Sequence, residues 1–172
     1  MINLLVPPLL ALVHTDSAIG SWQGGWAVNA DDIADLVDAS GVRTRPLRDV
    51  RQWGYQRVLA NRTVLQFDAA PPPMPKHARF GCASTLAFEL SHGSHRLIVN
   101  CGGAAAVGGL VPLNLEQGLR ATAAHSTLTL ENSNSTAVLS DGAIGVGVSQ
   151  VDIERRSVES GGASATRLEA SH

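Results

Sequence analysis

Aromatic side chains are scarce: three Trp, three Phe and a single Tyr in 172 residues. A core must therefore rest on Val, Leu, Ile and Ala. Charge of either sign is also thin, 13 Lys and Arg against 15 Asp and Glu for a net charge of −2. Duplex binders carry a basic face, so nucleic acid is excluded as a partner, and an acidic polymer would need a local basic patch. Only Cys82 and Cys101 are present, which is no disulfide-dense scaffold, and two buried free thiols are the expected state. No apolar run approaches the roughly 20 residues that span a bilayer, so no membrane partner is expected. The opening MINLLVPPLLALV lacks a positive n-region, carries Pro7 and Pro8 in its middle and has no small-residue cleavage site before His14. It reads as an internal segment rather than a signal peptide. No internal repeat is evident, and GGAAAVGGL at 102–110 lacks the Lys-Ser/Thr of a phosphate-binding loop.

With 44% hydrophobic residues the chain can bury the core of one ordinary domain. Asp31 to Ala39 places Ile33, Leu36 and Val37 on one face, with acids in its first turn and Gly41 just past its end, which predicts a short amphipathic helix. Arg43, Arg45, Arg48 and Arg51 follow as a basic run, read as a solvated connection. Strands are predicted around Tyr55 to Leu59 and Thr63 to Phe67, turning at Ala60-Asn61-Arg62, and a hairpin from Ala83 to Leu90 and His95 to Cys101. Pro71 to Pro73 form a stiff extended spacer. The stretch from Arg96 to Leu130 is expected to centre the sheet: a strand through Leu97 to Val99, a Gly/Ala-rich loop, and a second strand from Ser126 to Leu130 with His125 at its mouth. Further strands are predicted at Ala137 to Leu139, Val146 to Ser157 and Ala165 to Leu168. Many short strands with one short helix near the N-terminus predict a mostly-β, antiparallel sandwich.

The run RATAAHSTLTL (Arg120 to Leu130), preceded by HRLIVNCGG (His95 to Gly103), resembles the heparinase II/III-like family of polysaccharide lyases, in its C-terminal β-sheet domain. The likeness extends through GYQRVLANRTVLQFDAAPPP (Gly54 to Pro73) and LAFEL (Leu86 to Leu90) to the closing LEASH (Leu168 to His172). Where that family usually follows the histidine with Asn-Thr, this chain has Ser126-Thr127. The resemblance implies that residues 1–13 are a remnant of the connection from a helical domain, and that 14–172 are a β-sandwich domain, cut short at the C-terminus. It implies a parent lyase, periplasmic or secreted, that cleaves uronate-containing polysaccharide by β-elimination. The acidic polysaccharide would be shared with a helical toroid that is absent from this chain, so the chain alone is expected to be inactive. A different class of function, a non-catalytic glycan- or protein-binding β domain, is the alternative.

Two tasks are open for His125. As a catalytic residue it would face the cleft between the two domains; Tyr55 falls inside a hairpin strand and is assigned no role. As a metal ligand it would join Asp141 and His172, since members of the resembling family hold a structural metal with a His, an Asp and a His in this order. Two imidazoles and a carboxylate suit a borderline divalent ion such as zinc. Asp141-Gly142 also reads as a plain turn. His92 and His95 have H-x-x-H spacing, but around a glycine turn rather than on a helix face. Ser126 and His125 are strand neighbours pointing to opposite faces, which makes no nucleophile pair. Cys101 follows a buried strand, the setting of an inert thiol.

Overall fold

The computed structural model describes residues 2–47, 49–50, 54–104 and 111–172. Arg48 and Arg51 of the basic run and most of the Gly/Ala-rich loop lie outside them. Two helices come first, α1 (Ile2–Ala11) and α2 (Ala30–Ser40). A five-stranded antiparallel sheet follows in the order β1 (Asp49–Val50), β2 (Tyr55–Ala60), β3 (Thr63–Asp68), β4 (Phe88–His92) and β5 (His95–Ile98). After the short helix α3 (Leu113–Gly118) come two antiparallel hairpins, β6 (Thr136–Val138) with β7 (Ile144–Gly147), and β8 (Asp152–Ser160) with β9 (Ala163–Ser171). The chain is mostly β and antiparallel, as its alternation and turn residues predict.

Local chemistry accounts for these elements. In α2 the Asn29 side chain accepts from the Asp32 amide at 2.8 Å, and Gly41 takes the left-handed φ of 66° that closes the helix. The two-residue loop between β2 and β3 works because Asn61 accepts a φ of 53°. Gly93, at φ 58°, serves the β4–β5 turn, and its amide donates to the Arg62 carbonyl at 2.9 Å. The tips of the two hairpins are thereby fastened together.

The sheet buries the face that a hydrophobic pattern would turn outward. Register pairs Leu59 with Val64, Arg57 with Gln66 and Tyr55 with Asp68, then Val64 with Ser91 and Gln66 with Glu89. These residues share one face. On it Val64, Gln66, Asp68, Glu89 and Ser91 are no more than 1% exposed, whereas Leu65, Phe67, Phe88 and Leu90 on the other face are only half-buried. Residues 12–29 lie across the polar face as a strap, with little regular structure beyond the bridges Val13–Ile19 and Ile19–Val28. The strap and α2 contribute Ile19, Trp22 and Ile33 to the apolar cluster with Ala87, and Trp22 meets Tyr55 edge-on at 5.1 Å between ring centroids. The half-buried face meets the β8–β9 hairpin, where Arg155 donates to the Gln56 side chain and the Arg57 carbonyl.

Several expectations change. Residues 2–11 form a helix despite Pro7 and Pro8, because Val6 and Ala11 are buried and Leu9 packs on the Ile19–Trp22 cluster; packing overrides propensity. With α3, the helices number three rather than one among the described residues. Ser126 to Leu130 is not a strand. The Ser126 amide donates to the Asn100 side chain, the Thr127 amide to the His125 carbonyl, and Leu128 and Leu130 are 76% and 67% exposed. The Arg96–Leu130 stretch therefore does not centre the sheet, since among its described residues the strand is β5, which is the edge. Cys82 is buried and free as expected, but Cys101, also free, is exposed. No helix among the described residues is long and apolar enough to cross a membrane.

Candidate functional site

Glu89 is the point on which strap and sheet converge. Its Oε1 accepts from the amides of Ser21 and Asn100, both at 3.1 Å, and from the Asn100 side chain at 3.3 Å. Its Oε2 accepts from His14 Nε2 at 3.0 Å and Arg96 Nη1 at 3.3 Å. Arg96 reaches this face because β5 carries a bulge opposite Leu90 and Ser91, which pairs Ser91 with Arg96 and skips Leu97. The same guanidinium clasps Asp16 through Nε at 2.7 Å and Nη2 at 3.0 Å. Burial works to raise the Asp16 pKa, but Arg96 and the Ala18 amide outweigh it and hold the carboxyl below its ordinary value. His14 Nδ1 meets Ser91 Oγ at 2.9 Å. Gly20 lets the strap come this close: a Cβ there would lie 1.8 Å from Glu89 Oε2. A carboxylate with all these partners is a fastening.

A second polar group lies at the other end of the same face. Gln23 donates to Asp68 Oδ2 at 2.9 Å and accepts from the Cys82 amide at 3.0 Å. Burial pushes Asp68 up to about 7, against the pull of Gln23 and the Ala70 amide. Burial likewise lifts Tyr55 well above the ordinary phenol range, helped by the charges of Asp68, Cys82 and Glu89. The Cys82 thiol is raised to about 12 by burial, Arg120 offsetting only part. Thiol and phenol are therefore neutral at physiological pH.

His125 follows a turn of 3-10 helix, Thr122–Ala124, and is 7% exposed. Thr122 fixes that turn by donating to the Ala83 carbonyl at 2.7 Å and accepting from the Ser135 amide at 2.9 Å. Neither ring nitrogen of His125 reaches solvent or has a hydrogen-bond partner. Burial lowers its pKa, and the nearby Leu119 carbonyl restores only part. The next residue, Ser126, is tied through Asn100 to Glu89. His125 is thus a neutral imidazole held rigidly beside the fastening.

The structure does not assemble the metal set that the resemblance implies. Asp141 Oδ1 accepts from the Ala143 amide at 2.9 Å, with Gly142 at φ 82°, an Asp-Gly turn that lines a groove with Arg79 and Arg120. His172 is exposed and lines a different groove with Phe67, Phe88 and Leu128. His125 lines neither. Among the described residues no group of three His, Cys, Asp or Glu could hold a metal ion. His125, Asp141 and His172 as placed do not fit zinc. His92 and His95 pair across the hairpin, and His92 Nδ1 is engaged by Thr63 Oγ1 at 2.8 Å.

Sequence reasoning passed over Glu89, His14 and Arg96. A signal for Glu89 was present: a single acid between Phe88 and Leu90 in the apolar LAFEL strand, where a buried charge demands partners.

Comparison with curated proteins and with solved structures finds no match. A family model described as "Heparinase II/III-like, C-terminal" matches residues 42–172, from just after α2 to the end of the chain. The strap with His14, Asp16 and Gln23 precedes the matched segment, and the strands carrying Glu89 and Arg96 fall within it. The chain belongs to the heparinase II/III-like family, and residues 42–172 correspond to that family's C-terminal domain.

Proposed function

We propose that this chain is the sheet-domain part of a polysaccharide lyase acting on uronate-containing polysaccharide by β-elimination, and that its task there is to hold the acidic chain. β-Elimination needs a base to take the proton beside the carboxylate, an acid for the departing oxygen and a group to neutralise the carboxylate. The observation that carries the reading is the sealing of His125, whose two ring nitrogens are closed to solvent and make no well-formed hydrogen bond. The chain's one tyrosine, Tyr55, is likewise half-buried beneath Trp22, with its pKa raised. The proton-transfer groups then come from another part of the lyase, and this domain contributes binding and shape.

The test is release of unsaturated uronate from heparan sulfate, alginate and chondroitin by the purified chain, followed by ultraviolet absorbance. No turnover is expected on any of the three. Turnover that disappears in His125→Ala would overturn this division of roles.

A further inference from the structure

The tips of the β2–β3 and β4–β5 hairpins, joined by the Gly93 amide and the Arg62 carbonyl, form with the strap a groove of about 490 Å³. Thr15, Asp16, Arg57, Arg62 and Gly93 line it. Two polar atoms of this lining are buried without any hydrogen-bond partner, Thr15 Oγ1 and Arg57 Nη1. Gln66, cross-strand from Arg57 on the same face, is 0% exposed and has both amide atoms unpartnered. Among the described residues no ion pair involves Arg57 or Arg62. Burial lowers the Arg57 pKa, and no carboxylate offsets it. Asp16 supplies the groove's negative charge, but both its oxygens are taken by Arg96, and Oδ1 also by the Ala18 amide. The Arg62 guanidinium lies over Gly93, where a Cβ would stand 2.8 Å from Nη2, so the missing side chain leaves it room at the groove.

A half-buried guanidinium with an orphaned N–H, a second guanidinium nearby and an unpartnered hydroxyl form an arrangement short of one acceptor. Arginine forks match planar carboxylates and sulfates, and a hydroxyl can complete the set. We propose that this groove takes one anionic group of an acidic polysaccharide, a carboxylate or a sulfate, with Arg57, Arg62 and Thr15 as donors. The proposal rests on the acidic-polysaccharide reading above and gives that reading a place on the molecule. Leu59, 63% exposed at the rim, offers an apolar wall to the face of a sugar ring.

The test is calorimetric titration of the whole chain with polygalacturonate, which carries only carboxylates, with dextran sulfate, which carries only sulfates, and with neutral dextran. Binding to at least one charged polymer is expected, weakening with salt, and none to dextran; which polymer binds identifies the group. The double variant Arg57→Gln/Arg62→Gln should lose about tenfold or more in affinity, while Arg79→Gln, in the groove beside Asp141, should leave it unchanged. Arg57→Met separates binding from folding: it removes the orphaned N–H, so its melting temperature should match or exceed wild type while binding falls. Binding that persists in the double variant overturns the groove and leaves the polysaccharide reading standing. Failure of the wild type to bind either charged polymer, or equal binding of neutral dextran, overturns both.

Discussion

Glu89 and His125 are both buried titratable residues, linked through Asn100, and they are built in opposite ways. Glu89 accepts five hydrogen bonds, to the strap, to Arg96 and to Asn100. His125 is buried with neither ring nitrogen in a well-formed hydrogen bond and only the Leu119 carbonyl nearby. A buried carboxylate survives only when its lost hydration is replaced by donors, so Glu89 requires its surroundings. A neutral imidazole tolerates burial at smaller cost, so the surroundings of His125 can omit partners. The difference separates a carboxylate whose burial depends on its partners from an imidazole whose neutral form permits burial without them.

Removing the fastening should have the largest effect. Glu89→Ala takes one partner each from His14 and Arg96 and leaves the Ser21 and Asn100 amides unanswered, and should cost about 3–5 kcal/mol, measured by chemical denaturation; a loss below 1 kcal/mol would show that the strap is held by its apolar contacts alone. Gly20→Ala attacks the same junction by volume and should cost about 1–3 kcal/mol, since the new methyl must displace the Glu89 carboxylate.

Asp68 gives the next effect, through pH. Folded, it keeps its proton up to about 7; unfolded, it releases it near 3.8. The folded state binds more protons in between, so Asp68 contributes stability that is full below 3.8 and lost as pH rises to about 7, by at most about 1.4 kcal/mol per pH unit. His125 runs the other way: with its folded pKa lowered, stability is lost as pH falls below 6.5. The two partly cancel, so the informative quantity is the stability of wild type minus that of Asp68→Asn. That difference should fall steadily between pH 4 and 7, and a flat difference would show Asp68 ionised throughout. The smallest effect belongs to His125→Leu, which removes two unpartnered nitrogens at similar volume and should change stability by less than about 1 kcal/mol.

The local elements were legible because their signals are local. Asn29 and Gly41 bracket α2, Asn61 marks one hairpin turn and Gly93 the other, and each acts within a few residues of itself. The buried face of the sheet was not legible in this way. Alternation in TVLQFD and FELS places Leu65, Phe67, Phe88 and Leu90 together, but which face is sealed depends on a strap more than sixty residues away in sequence from β4. The strand assigned to Ser126–Leu130 failed for a related reason: its apolar alternation is real, but Asn100 captures the Ser126 amide that a ladder would need. For the site, the family resemblance implied His125, Asp141 and His172, and only the fold could show that Asp141 and His172 line different grooves while His125 lines neither. The Arg57 groove was invisible for the opposite reason, since what marks it is the lack of partners.

Burial closes both His125 ring nitrogens to solvent and keeps the imidazole neutral. The direct test is the titration of the His125 ring nitrogens by nuclear magnetic resonance, with His125→Leu to assign the signal. A pKa below the ordinary 6.5 and a single neutral tautomer at pH 7 are expected. A titration at or above 6.5, or a shift of the His125 signal when acidic polysaccharide is added to a variant lacking Arg57 and Arg62, would contradict this.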